Sequence, residues 1–184
     1  MIGSRRYTAA AFLIAFAVCA VDAASKALAV AGLTPHRPVT LLGGLITLHL
    51  YRNPGAAFGI GPSYTVIYAL IEAAVLVAIL RLSRRLRSWL WTIPLGLLLG
   101  GAAGNLADRL FRSPGPLRGF VIDWIKLPYF PPTFNLADSA ITIGAAVLVL
   151  ASVRGWRLDG GSPRSGPKVQ QAMPGSDVPV PLNP

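Results

Sequence analysis

Four stretches of this chain are almost continuously apolar: roughly Thr8–Leu33, Tyr64–Leu80, Trp89–Leu106 and Leu136–Val153. Each is long enough, or nearly so, to carry a helix across a hydrocarbon core that needs about 20 residues. The connection after the first stretch has a different rhythm. In Leu45-Ile46-Thr47-Leu48-His49-Leu50-Tyr51, Ile46, Leu48 and Leu50 fall on one side, and Thr47, His49 and Tyr51 largely on the other. That alternation predicts a half-buried strand. Gly43-Gly44 before it and Asn53-Pro54-Gly55 after it are turn signals. From Gly155 to Pro184 the chain is rich in Gly, Pro and Ser, and too poor in large apolar residues to fold. The pattern predicts an all-α membrane fold: residues 1–154 form a four-helix domain with a small β-sheet cradle at about residues 36–62, and 155–184 form a disordered tail.

With 53% hydrophobic and 13% charged residues, an ordinary soluble domain is excluded. A net charge of +10 raises the question of nucleic acid, but the cations do not form a binding face. Arg5 and Arg6 precede the first span, Arg81, Arg84, Arg85 and Arg87 fill the second connection, and Arg154, Arg157, Arg164 and Lys168 follow the fourth span. By the positive-inside rule both termini and the Arg81–Arg87 connection face the cytoplasm, and the other two connections face outward. The N-terminus has the basic start and apolar run of a cleaved signal segment, yet Asp22 and Lys26 would end such a segment badly, so retention is expected. Cys19, the single cysteine, excludes an intrachain disulfide and reads as a small buried hydrophobe.

Charges inside apolar helices carry the most information, because an unpaired one costs about 2.5–3.5 kcal/mol at mid-bilayer on the insertion scale. Asp22 and Lys26 lie one helical turn apart, as a structural ion pair would. Glu72, midway along the second span, has no partner that the sequence identifies. Gly96, Gly100, Gly101 and Gly104 in the third span suit close helix–helix approach in lipid. His36 and His49 are isolated and lack the companions of a metal site.

Asn-Leu-Ala-Asp occurs twice, at Asn105–Asp108 and Asn135–Asp138, each time touching an apolar span. Asp108, Asp123 and Asp138 would all reach the outer interface. Two neighbouring carboxylates cannot both ionise cheaply, so one keeps a proton while the other loses it. Such a pair activates water and protonates a leaving amine without a metal or cofactor. No phosphate-binding glycine loop, activated Ser or Cys, or His/Cys cluster competes with it. A proton-coupled carrier also uses intramembrane acids, but here they gather at one interface. Spacing alone leaves open which two of the three aspartates form the pair.

Five motifs, in order, resemble the signature of the lipoprotein signal peptidases (signal peptidase II). They are Asp22-x-x-x-Lys26, Asn53-x-Gly55-Ala56-Ala57-Phe58, Gly104-Asn105-x-x-Asp108-Arg109, Val121-x-Asp123 and Phe134-Asn135-x-Ala137-Asp138. The resemblance spans about residues 10 to 153. Ala23 stands where glutamine is usual and Trp124 where phenylalanine is usual; neither change touches an acid–base group. The resemblance implies a bacterial inner-membrane aspartyl endopeptidase that cuts prolipoproteins just before a diacylglyceryl-modified cysteine, with its site near the outer face. It assigns Asp123 and Asp138 as the catalytic pair, with Asp108 in support. Asn53 and Arg109 match positions that hold the substrate backbone, and Asn105, Asn135 and Ala137 match positions that shape the site. Gly55 falls in the substrate-holding motif, and Asp22 and Lys26 match a structural pair nearby. The expected partners are the lipidated substrates and membrane lipid, with no nucleic acid, and a monomer is expected.

Overall fold

The computed structural model describes residues 2–55 and 65–157. Ala56-Ala57-Phe58, the far end of the expected β region and the tail from residue 158 lie outside the described residues. Four helices, α1 (Ile2–Gly32), α2 (Thr65–Ser83), α3 (Trp89–Phe111) and α4 (Leu136–Val153), are each long and apolar enough to cross a membrane. Strands β1 (Val39–Leu41), β2 (Ile46–Asn53), β3 (Val121–Lys126) and β4 (Thr133–Phe134) form one antiparallel sheet in that order.

Helix α3 is the centre of the bundle. Of its apolar window 61% is buried, against 17–22% in the other three, whose outer faces are free for lipid. Its glycines explain how neighbours come so close. A Cβ on Gly100 would lie 2.6 Å from the Ala15 carbonyl oxygen of α1, and one on Gly101 would lie 2.6 Å from the Ala137 carbonyl oxygen of α4. Lipid tails are as apolar as leucine, so this packing, and not water exclusion, holds such helices together. Backbone cannot rotate away as a side chain can. Gly100→Ala is therefore expected to destabilise the fold by about 1–3 kcal/mol, read as a lower unfolding temperature in detergent. Gly32→Ala, with nothing within 4 Å, is expected to change it little.

The two ends of the bundle differ in chemistry. At the end holding the connection between α2 and α3, an apolar cluster of Ala11, Ile79, Leu86, Trp91, Leu95 and Ala151 fills the interior, and Thr8 donates to the Ser83 carbonyl at 2.9 Å. At the opposite end sits the sheet, and there the buried residues include a polar and charged set: Asp22, Lys26, Asn53, Asn105, Asp108, Arg109, Asp123 and Asn135.

The sheet departs from expectation in two ways. It is not confined to the first connection, since β3 and β4 come from the segment between α3 and α4 and complete it. The predicted strand also does not alternate cleanly. A register shift between Leu48 and Tyr51, where β2 pairs with β3, breaks the period of two. Residues Ile46 to His49 are all half-buried, while past the shift Leu50 and Asn53 are buried and Tyr51 and Arg52 exposed. The bulge thus turns Asn53 inward. Gly43 and Gly44, with φ of 65° and 101°, do form the expected turn before β2. Cys19 is half-buried, not fully enclosed.

Candidate active site

Local backbone rules set the positions of the two aspartates. Asn135 caps α4: its side chain accepts from the Asp138 N–H at 2.9 Å, and Asp138 accepts from the Asn135 N–H at 3.1 Å, a reciprocal capping box. The cap fixes Asp138 in the first turn of α4 through local contacts alone. Asp123 lies on β3 opposite Tyr51 of β2, and its inward side is buried.

Asparagines connect the two carboxylates. Asn135 Nδ2 donates to Asp123 Oδ1 at 2.7 Å and to Asn105 Oδ1 at 3.3 Å. Asn105 Nδ2 donates to Asp138 Oδ1 at 2.8 Å, and Asn53 Nδ2 donates to Asp123 Oδ2 at 2.8 Å. The repeated Asn-Leu-Ala-Asp therefore has a physical meaning, for its two asparagines meet each other and distribute their donors to the acids. Burial, and then the negative charge of Asp138, pushes the Asp123 carboxyl up to about 7, against the opposing asparagine hydrogen bonds and the Lys26 charge.

Asp108 serves a different network. Its Oδ2 meets Lys26 Nζ at 3.0 Å and accepts from the Ile122 N–H at 3.1 Å, while Oδ1 pairs with Arg112. Lys26, wholly buried, also meets Asp22 at 2.7 Å and donates to Asn105 Oδ1 at 2.9 Å. Asp22 accepts from the Ala137 N–H at 2.9 Å. The pair expected to be merely self-neutralising thus ties α1 to α3 and α4. Ala137 is small because α3 packs directly over it.

A cavity of about 580 Å³ opens beside this network. Asp123 and Asp138 both line it, as do Asn53, Gly55, Asn105 and Arg109, and its remaining wall is largely apolar, with Ile71, Leu127, Phe130 and Ile141. Asp108 and Asp22 are not among its lining residues. Arg109 donates through Nη2 to the Gly55 carbonyl at 2.8 Å, and the Gly55 N–H donates to Asn53 Oδ1 at 2.9 Å. Arg109 Nε meets Glu72 Oε1 at 3.1 Å, and its guanidinium lies 5.7 Å from the centre of the Tyr68 ring. Glu72 and Tyr68 are site residues that the sequence reading did not find. An acid in an apolar helix signals that a partner exists, but the partner stands 37 positions away.

A membrane-spanning helical bundle, capped by a sheet and holding a carboxylate-lined cavity at the sheet end, is the class of protein that this fold and site define. The family model described as Signal peptidase (SPase) II matches residues 14–154. The chain is 47% identical over 156 residues to the lipoprotein signal peptidase of Streptomyces coelicolor, covering 85% of this chain and 76% of that protein. It is 46% identical over 149 residues to the lipoprotein signal peptidase of Rhodococcus jostii, covering 81% and 75%. A solved structure described as a bacterial membrane enzyme superposes with a TM-score of 0.70 at 26% identity, covering 78% of this chain and 87% of that one. The chain belongs to the signal peptidase II family of membrane proteases.

Proposed function

We propose that this protein is an aspartyl endopeptidase that removes the signal peptide from diacylglyceryl-modified prolipoproteins, cutting just before the lipidated cysteine. The observation that carries the choice of residues is that Asp123 and Asp138 share one cavity and are bridged by the joined side chains of Asn135 and Asn105, whereas Asp108 is occupied by Lys26, Arg112 and a backbone N–H.

The pair holds one proton. Its ionised member takes a proton from water as the water oxygen attacks the scissile carbonyl carbon, and its protonated member donates to the carbonyl oxygen. When the tetrahedral species collapses, the C–N bond breaks, the amine leaves with the proton the pair took from water, and a hydroxyl proton of the same species returns to the ionised carboxylate, so the acid is released and the pair again holds one proton. Asn53 and Arg109 hold the substrate backbone, while the apolar wall receives acyl chains and the end of the signal helix. We place both termini and the Arg81–Arg87 connection in the cytoplasm, which sets the sheet and cavity at the outer face of the inner membrane. Residues 1–154 act as the peptidase domain, and the segment from 155 on is a dispensable tail.

The test is the pH dependence of kcat/KM for cleavage of a lipidated peptide. With Asp123 raised to about 7, the shared proton is lost as pH rises through neutrality, so activity is expected to fall on the alkaline side there. It is also expected to fall on the acid side as the second carboxylate protonates. The two limbs belong to the pair and not to single residues. EDTA is expected to leave the curve unchanged; activity lost in chelator and restored by added metal would replace the pair with a metal mechanism.

A further inference from the structure

Glu72 is a charged residue in the apolar stretch Tyr64–Leu80, and the mechanism above leaves it without a task. Its cost in a lipid-facing helix asks for a return. Its surroundings describe one. Oε1 meets Arg109 Nε at 3.1 Å. The same guanidinium donates through Nη2 to the Gly55 carbonyl at 2.8 Å. Gly55 fixes Asn53 through its N–H, and Asn53 donates to Asp123 Oδ2 at 2.8 Å. A continuous chain of hydrogen bonds therefore runs from α2, through the end of α3 and the turn after β2, to one member of the acid–base pair. Glu72 and Arg109 both line the cavity that holds the pair.

Glu72 also acts through its charge. Among the described residues, the charges that act on it are Arg109 on α3, in direct contact, and Asp138 on α4 and Lys26 on α1 through the field; Asp123 in turn feels the charges of Asp138 and Lys26. Lys26 is already matched by Asp22 and Asp108, so among the described residues Glu72 is the counter-charge in ion-pair contact with Arg109.

Building on the aspartyl peptidase reading, we infer that Glu72 is a positioning residue for the acid–base pair: it aims Arg109 at the Gly55 turn that orients Asn53 on Asp123, and it neutralises a cation that would otherwise bias the pair toward its doubly ionised form. The two roles separate by substitution. Glu72→Gln keeps an acceptor for Arg109 Nε and removes the charge. An uncompensated cation favours ionised carboxylates, so both limbs of the pH profile move to lower pH, by on the order of one unit. Glu72→Leu removes charge and aim together; loosening a reacting group by about an ångström lowers kcat by roughly 10²-fold. Glu72→Asp restores the charge, and with it the wild-type position of both limbs.

The experiment measures full pH profiles of kcat and kcat/KM for the purified full-length protein and these three variants on a lipidated peptide, per correctly folded molecule, with Asp123→Asn in the same assay. The expected result is an acid shift in Gln, its reversal in Asp, and a kcat loss in Leu that exceeds any change in KM. An inactive Asp123→Asn beside Glu72 variants with wild-type limbs overturns the inference alone, including the case where activity falls only in step with folded protein. An active Asp123→Asn overturns it together with the reading on which it rests.

Discussion

Asp123→Asn and Asp138→Asn are each expected to lower the cleavage rate per inserted molecule by on the order of 10²–10⁴, the contribution of a positioned acid or base. Asparagine keeps the shape of the carboxylate and can still sit among Asn53, Asn105 and Asn135, so the fold should persist while proton transfer is lost. On the proposed mechanism the two act as one unit. The double variant should therefore be little worse than either single, because once the shared proton is gone the second carboxylate has nothing to do. Asp108→Asn separates this mechanism from its rival. Asp108 holds Lys26 and the Ile122 N–H, and its replacement should act through the geometry of β3, with a smaller rate loss or less folded protein. Near-full activity in Asp123→Asn together with complete loss in Asp108→Asn would move the pair to Asp108 and Asp138.

The largest expected effect on stability belongs to Lys26→Met. Methionine matches the length of the lysine stem, so packing changes little, but Asp22, Asp108 and Asn105 Oδ1 all lose their common donor. Breaking a buried ion pair by removing one partner leaves an uncompensated charge and is expected to cost about 3–5 kcal/mol. Asp22→Asn should cost less. It leaves Lys26 with Asp108, and it keeps a carbonyl oxygen to accept from the Ala137 N–H. The comparison is read as unfolding temperature in detergent and as the amount of folded protein in membranes. Equal, small effects from both would mean that the network does not hold α1 to α3.

The spans were legible because apolar length is a property of local sequence; α4 begins and ends at Leu136 and Val153 as read, and Gly100 and Gly101 of α3 meet backbone where close approach was expected. The carboxylates were legible as a group because each is an expensive residue beside an apolar segment. What the sequence withheld is long-range pairing. Nothing near Glu72 in the chain points to Arg109, and nothing near Lys26 points to Asp108, because their proximity exists only once α3 has packed between its neighbours. The strand holding Asp123 was missed because six residues of mixed character between two helices have no clear period, and they become a strand by pairing with β2. Asn53 turned inward for the same reason, since a bulge is decided by the partner strand as much as by its own sequence. The ordered motifs of a known family selected Asp123 and Asp138 among three aspartates; in the folded chain that choice coincides with the two that line the cavity.

The most direct measurement gives the purified protein, in detergent, a prolipoprotein whose cysteine bears diacylglycerol and the same chain without the lipid, and maps the products by mass spectrometry. One product beginning at the lipidated cysteine is predicted, with little cleavage of the unmodified chain and, from Asp123→Asn, product formation slower by on the order of 10²–10⁴. Equal cleavage of both chains, a cut at another bond, or the same product from Asp123→Asn at close to the unsubstituted rate would contradict a lipid-directed peptidase built on this pair of aspartates.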